Sequence, residues 1–367
     1  MIIKNNPDLK KKINQYLEIH RFNVDYSDTL IRNIFIQQPL LNHALILPKK
    51  ESDLIKLVED KIQSIVIKDE SPNVKKTLLK KAIHKQVGLL NPSQFKNNPF
   101  QKLSQNKSKL FNGWHLVQES YRPFQMFVSG DISIYENEGF LENNPIGFFQ
   151  EPFQYIALKK NNVTWMSITP FEIETMKNTL SMVSGIVVAL GLGLGYFATM
   201  AAMKTSVLKV IVVEKDPDVI TLYQQHLQPV LPNQHKITIV QADAYEYLKG
   251  KIKADYIFVD IYRTADDALP LYIDFKKLEE FQKNAKWNYW LEDSILGLFR
   301  RYLMIYLDEQ LQGLTNENYQ STGKIEDKIL AQIHQINQNV SLGNVLELQA
   351  WLSRNNLIDM MSKINLD

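Results

Sequence analysis

Apolar residues recur three and four positions apart through "DLKKKINQYLEIH", "ESDLIKLVEDKIQSIVI" and "NVKKTLLKKAIHKQVGLL", the period of helices with one buried face. The Asn- and Ser-rich text that follows from Asn91, "NPSQFKNNPFQKLSQNKSK", predicts a loop or linker. From about Trp114 the pattern becomes aromatic, β-branched and alternating. "WHLVQESYRPFQMFVSGDISIYENEGF" and "FQYIALKKNNVTWMSI" predict short strands and hairpins, with turns at Ser129-Gly130-Asp131 and Asn161-Asn162. "ITPFEIETMKNTLSMV" then predicts a helix with Thr169 as N-cap, Pro170 at the first helical position and Glu172 where a capping box places its carboxylate. Local capping accounts for these residues without any function.

Between residues 186 and 292 the short apolar runs "IVVAL", "VLKVIVVE", "KITIVQA" and "ADYIFVD" alternate with the helical stretches "YFATMAAMK", "PDVITLYQQHL" and "AYEYLKG". Such runs suit fully buried parallel strands, and "WNYWLED" supplies a fifth. The alternation predicts an α/β fold: a Rossmann-like open, mostly parallel sheet with helices on both faces. Beyond Ser294 the pattern is helical to the end, including "ILGLFRRYLMIYLDEQLQGL" and "KIEDKILAQIHQINQNV". The expected organisation is a basic helical region at 1–112, a β-rich hairpin segment at 113–168, the Rossmann-like domain at 169–293 and a helical extension at 294–367. No period of 20 to 50 residues marks a solenoid.

Composition narrows the chemistry. The 367 residues contain no cysteine, which excludes disulfides, cysteine metal sites and a cysteine nucleophile. The seven histidines are scattered without a compact ligand pair, so no metal site is expected. The opening "MIIKNNPDLKKK" lacks the apolar core of a signal peptide, and no apolar run approaches the roughly 20 residues of a membrane span. A cytoplasmic chain without membrane attachment is the expectation. The net charge of +2 conceals an asymmetry: residues 1–110 hold 20 Lys and Arg against 10 Asp and Glu, and the remainder 22 against 30. A nucleic-acid partner is one reading of the basic front end. A solvated lysine-rich surface is the favoured one, because the lysines are spread out and few aromatics lie among them.

The candidate chemistry starts at "VVALGLGLG", where Gly191, Gly193 and Gly195 follow the first strand of the alternation. A glycine turn there lets backbone approach a ligand closely. The spacing is G-x-G-x-G, and Tyr196 stands where a dinucleotide fingerprint has its third glycine, which argues against NAD or FAD. Three acids then fall at three strand ends. Glu214 lies where a carboxylate accepts from both ribose hydroxyls, Asp243 where one accepts from an adenine amine, and Asp260 at the same edge. Any one alone reads first as a helix N-cap; the three together with the glycines favour a ligand site.

"VVALGLGLG", "IVVEKDP", "VQADAYEYL" and "DYIFVD", in this order and spacing, resemble the class I S-adenosylmethionine-dependent methyltransferases over roughly residues 150 to 292. The resemblance implies S-adenosylmethionine as cofactor. Gly191, Gly193 and Gly195 would line its methionine and ribose portion, Glu214 would bind the ribose, Asp243 with Ala244 the adenine, and Asp260 would lie near the sulfonium; Lys215, inside the second motif, belongs to the same set. Ala189 departs from the aspartate that often precedes these glycines.

Within that superfamily the layout resembles the spermidine-synthase-like group. "EPFQYIAL" is similar to a strand of that group and places Gln154 in the cofactor set, and "DALPLYIDFKKLEEF" is similar to its helix after the fourth strand. That likeness implies a homodimer. The group's second acid, three residues after the first, is replaced by Arg263 in "DIYR", with Asp266 and Asp267 as substitutes nearby. A cation there cannot act as a base and repels a polyammonium substrate, which disfavours aminopropyl transfer. The proline-rich signature of amino-methylating nucleic-acid enzymes is absent. The leading expectation is therefore methyl transfer to an oxygen or nitrogen of an acceptor, with Asp260 or Tyr262 orienting that acceptor or taking its proton, and with packing an equal reading of Tyr262. The alternatives are a spermidine-synthase-like aminopropyltransferase and a non-catalytic relative that binds cofactor or acts as a scaffold.

Overall fold

The structure, a computed structural model, describes residues 1–34, 50–68, 70–83, 86–95, 97–105, 108–314 and 324–366. Helix α1 (Pro7–Arg32) opens on Asn6, whose side chain accepts from the amides of Asp8 at 3.0 Å and Leu9 at 3.2 Å, and Pro7 occupies the position where a missing N–H does no harm. Its buried face is shared between two cores. Leu9, Ile13, Tyr16 and Leu17 pack into the main one, and Ile19, Phe22, Tyr26 and Leu30 into a smaller one. Helix α2 (Glu51–Val66) adds Leu54, Val58, Ile62 and Val66 to that smaller core, and α3 (Asn73–Ile83) adds Leu79, Ala82 and Ile83. Lysines of this region are paired: Lys56 with Asp60 at 3.1 Å, Lys75 with Asp25 at 2.5 Å and Lys81 with Glu138 at 3.2 Å.

Two sequence expectations change here. The helix predicted to run on from Asn73 ends at Ile83, and Val87–Leu89 is a strand paired with Ile146–Phe148. His84 and Lys85 between them lie outside the described residues. The stretch read as a loop from Asn91 carries 3₁₀ turns at Pro92–Phe95 and Pro99–Gln105, and Phe100 is buried with its ring 5.5 Å from that of Tyr196. Lys96, Asn106 and Lys107 of that stretch lie outside the described residues.

The alternating segment forms a four-stranded antiparallel sheet in the order Val163–Ser167, Phe153–Lys160, Trp114–Tyr121, Lys109–Phe111. Asn161 and Asn162, at φ of 50° and 65°, make the tight hairpin turn that delivers Trp165 and Met166 on the return strand. Helix α4 (Pro170–Met182) follows at once.

The central sheet is built from β1 (Gly185–Leu190), β2 (Val207–Glu214), β3 (Ile237–Gln241), β4 (Tyr256–Val259) and β5 (Lys286–Tyr289), in the order β3-β2-β1-β4-β5. Every neighbouring pair is parallel. The connecting helices are α5 (Tyr196–Ala202), α6 (Pro217–Leu222), α7 (Ala244–Lys249) and α8 (Ala265–Leu278). Val187, Val188, Val210, Val212, Ile257 and Phe258 are buried, as their unbroken apolar runs require in a sheet covered by other elements. Chain order reverses between β1 and β4, and a crevice opens beyond the carboxyl ends of the strands at such a reversal.

After β5 come α9 (Glu292–Leu311), α10 (Ile325–Ile336), α11 (Val345–Trp351) and α12 (Arg354–Lys363). The helical reading of residues 315–323 falls outside the described residues. Ile2–Ile3 pairs in parallel with Ser341–Leu342, so the two ends of the chain are joined by backbone hydrogen bonds. No helix among the described residues is long and apolar enough to cross a membrane.

Arg301 of α9 forms an ion pair with Glu142, whose side chain is only 5% exposed. Breaking a buried pair leaves its partner's charge without compensation. Arg301→Met, which leaves the buried Glu142 carboxylate without its partner, is expected to lower stability by about 3 kcal/mol, and a Glu142→Met/Arg301→Met double variant to recover most of that. Chemical denaturation of the set measures it; an unchanged midpoint for Arg301→Met would refute the role.

Candidate functional site

The turn after β1 is built by exclusion. Gly191 has φ +98°, and a Cβ there would stand 2.0 Å from the carbonyl oxygen of Asp260. Only glycine lets the β1 exit close against the β4 exit in this way. At Gly193, with φ +48°, a Cβ would stand 2.1 Å from the sulfur of Met166, which also accepts from the Leu194 amide at 3.2 Å. Glu214, at the end of β2, accepts from the Leu192 amide through Oε2 at 3.0 Å and from the Asp216 amide through Oε1 at 2.8 Å. It thereby fastens the glycine turn to its own strand end, and each oxygen keeps further lone-pair capacity for a ligand.

Asp243 is the N-cap of α7: its Oδ1 accepts from the Tyr245 amide at 2.9 Å and the Glu246 amide at 3.3 Å. Capping is therefore realised here, and the residue still faces the crevice. Gly191, Gly193, Glu214, Lys215, Asp243, Ala244, Asp260 and Tyr262 all line one cavity of about 590 Å³, within the range of sites that enclose a ligand of cofactor size.

Two neighbouring carboxyls lie in the cavity lining. Asp260 extends from β4, and burial pushes its carboxyl up to about 7. Glu172 of α4 lines the same cavity, is 7% exposed, and has a buried Oε2 with no hydrogen-bond partner among the described residues. Burial first, then the charge of Asp260, raises it well above the usual carboxylate range. Neighbouring carboxyls do not both ionise readily. The capping box expected of Glu172 is corrected accordingly: Thr169 caps α4 by position but makes no side-chain cap bond, and the carboxyl of Glu172 lies in the cavity wall.

Aromatic rings enclose this pair. Trp290, at the exit of β5, donates its indole N–H to Thr175 of α4 at 2.9 Å, and its ring stacks on Tyr262 at 6.1 Å. Leu291 follows at φ +53°, a conformation costly for a branched side chain, as the chain turns into α9. The hydroxyl of Tyr262 donates to the Trp290 carbonyl at 2.5 Å, and burial holds its proton far above the usual phenol range. Of the two readings of Tyr262 this geometry favours packing, since its proton already serves the backbone.

Two further expectations fall outside the cavity. Gln154 is exposed on its strand, opposite Ser120, and is not among the cavity-lining residues. Alternation along the strand accounts for this, because Phe153 next to it takes the buried side. Gly195 also lies off the lining, packed against the ring of Tyr223. Arg263 stands outside it, 3.6 Å from Asp267 and over the ring of Trp165 at 5.2 Å. The residues the sequence reading missed are Glu172, Met166, Trp165 and Trp290. For Glu172 a signal existed: it is an acid flanked by Ile168, Phe171, Ile173 and Met176. Among the described residues no three metal-capable side chains gather.

No family model and no curated protein matches the chain. Among solved structures, it is similar to a spermidine synthase from Thermotoga maritima at 17% identity and a TM-score of 0.30, covering 55% of this chain and 62% of that one. A spermidine synthase in complex with the transition state analogue AdoDATO gives the same identity, score and coverage. An O-methyltransferase from Klebsiella pneumoniae is similar at 16% identity and a TM-score of 0.24, covering 30% of this chain and 49% of that one. The chain thus spans less than two thirds of the length of each.

The raised carboxyls make stability depend on pH. Folded, Asp260 keeps its proton to about 7; unfolded, it loses it near 3.8. The folded state therefore holds more protons across that interval, and stability falls as pH rises through it. Glu172 acts with the same sign. Asp260→Asn is expected to flatten the fall in melting temperature between about pH 4 and 7 and to be the more stable form above it. Parallel melting curves against pH for the two proteins would contradict this.

Proposed function

We propose that the chain is an S-adenosylmethionine-dependent transferase of the class I methyltransferase type, moving a methyl group to an oxygen or nitrogen of an acceptor. The observation that supports it is convergence: Gly191, Glu214, Asp243 and Asp260, which lie at four different strand ends, line a single cavity at the strand-order reversal. The residues suit that cofactor. Glu214 retains acceptor capacity for two ribose hydroxyls, Asp243 with Ala244 sits where the adenine edge would be read, and the turn leaves no side chain at Gly191 or Gly193. When bound, the sulfonium supplies an electrophilic methyl group; the chain's part is to hold the acceptor in line and to manage its proton. Asp260 is the residue for that proton, being poised near neutrality.

One observation favours aminopropyl transfer as a second reading. Glu172 provides beside Asp260 the second acid that Arg263 fails to provide in "DIYR", and Arg263 is drawn off toward Asp267 and Trp165.

Calorimetric titration with S-adenosylmethionine, S-adenosylhomocysteine, decarboxylated S-adenosylmethionine and NAD distinguishes these. Micromolar binding of the first two is expected, weakened at least about tenfold in Glu214→Ala as two hydroxyl contacts are lost. A clear preference for the decarboxylated form would transfer the assignment to the second reading. Binding of NAD alone, or of none of the four, would overturn both.

A further inference from the structure

Away from the strand-end crevice, a buried cation stands without a counter-charge. Arg300 of α9 is 5% exposed, and among the described residues it forms no ion pair. Its Nε donates to the Leu352 carbonyl at 3.2 Å, and its guanidinium lies 4.7 Å from the centroid of the Phe140 ring. The terminal N–H groups meet no acceptor among the described residues. Glu136, Glu142 and Asp293 act on it only from beyond ion-pair distance, Arg354 opposes them, and burial outweighs them all, lowering its pKa to about 10. A buried guanidinium in this state is costly unless another charge balances it.

Beside it, between α1 and α9, is a cavity of about 10 Å³ whose lining includes Arg300, Arg301, His20 and Glu142. Arg301 and Glu142 pair with each other and cancel. His20 adds no charge near neutral pH, because burial first, then Arg301 and Arg21, lower its pKa to about 4. Asn23, also in the lining, donates to the Phe140 carbonyl at 2.8 Å and accepts from the Glu142 amide at 3.1 Å. Farther out, Arg21 is balanced by Asp308 at 3.2 Å. The lining is thus left with the positive charge of Arg300.

A single positive charge beside so small a space calls for a monovalent, monatomic anion. The volume suits one water-sized particle, so carboxylates, phosphate and sulfate do not fit. Water fits but brings no charge. Chloride meets both conditions and takes N–H donors from a guanidinium and from a neutral imidazole. We propose that Arg300, Arg301 and His20 form a binding site for one chloride ion between α1 and α9, separate from the strand-end cavity. The ion completes the charge balance of Arg300 and ties the N-terminal helical region to the helix that follows Trp290. His20 also lines a groove of about 450 Å³ along α1, with Arg21, Asp28 and Arg32, so its ring is the partition between the ion and solvent. The site is independent of the transferase reading.

The test uses the full chain in sodium gluconate, with chloride replacing gluconate at constant ionic strength so that screening does not change. Wild-type protein is expected to broaden the chloride NMR line, bromide to reverse the broadening by competition, and Arg300→Met to lose it. Chloride is expected to raise the wild-type melting temperature saturably, since it binds the folded chain alone, and to leave that of Arg300→Met unchanged. The imidazole titration of His20, followed by NMR, reports the place: chloride should move it upward in wild type, because the anion offsets the arginines beside the ring. Absence of chloride broadening by the folded wild-type protein, equal broadening by Arg300→Met, or a His20 titration that does not respond to chloride overturns the proposal. If Arg300→Met fails to fold, the wild-type broadening and the His20 titration decide by the same criteria.

Discussion

The site depends on a contact that leaves no room for a side chain. Where the strand order reverses, a Cβ on Gly191 would come within 2.0 Å of the Asp260 carbonyl oxygen, so the β1 and β4 exits lie backbone against backbone. That contact brings Asp260 to the foot of the glycine turn, beside α4, instead of leaving it at a separate loop. It also explains why the turn can be held from below by a single carboxylate, Glu214, whose two oxygens take the amides of Leu192 and Asp216. A ligand entering this crevice meets a surface already fixed by backbone geometry, which is the condition for precise positioning.

Around that contact the chain sets burial against charge. Asp260 and Glu172 lie among Trp290, Tyr262 and Met166, an environment that disfavours ionisation. The structure supports this arrangement from the far side. Arg354 of α12 pairs with Glu292 and Asp293 at the start of α9, and Tyr272 of α8 donates to Glu292 at 2.7 Å. These interactions anchor the residues directly after strained Leu291, and so hold Trp290 in the cavity wall. The C-terminal helices thus act on the site through the turn they secure, without entering it.

The central sheet was legible because strands covered by other elements read as unbroken apolar runs, and the acids at their ends fall at fixed intervals from the glycines. The short strand at Val87–Leu89 was not legible, since three residues are too few to show a period against the helical text before them. Gln154 was carried into the site by likeness of motif, and the pleat then put it on the exposed side. Glu172 was misread for a more general reason. A carboxylate three residues after a capping threonine has the same sequence signature whether it reaches back to the helix start or inward to a cavity, and only the packing of α4 separates the two.

The acids at the strand ends show that a structural role and a place in the cavity wall are not rivals. Asp243 caps α7 through Oδ1, and Glu214 fastens the glycine turn, yet both line the cavity. Carboxylates have about four acceptor positions, so a residue can be immobilised by its own backbone and still receive a ligand. Glu172 is different in kind, because its buried Oε2 has no hydrogen-bond partner among the described residues. A local structural account suffices for the placement of Glu214 and Asp243, whatever they bind. Among the described residues no hydrogen bond gives such an account for Oε2 of Glu172, so the packing of α4 alone sets that carboxyl in the cavity wall.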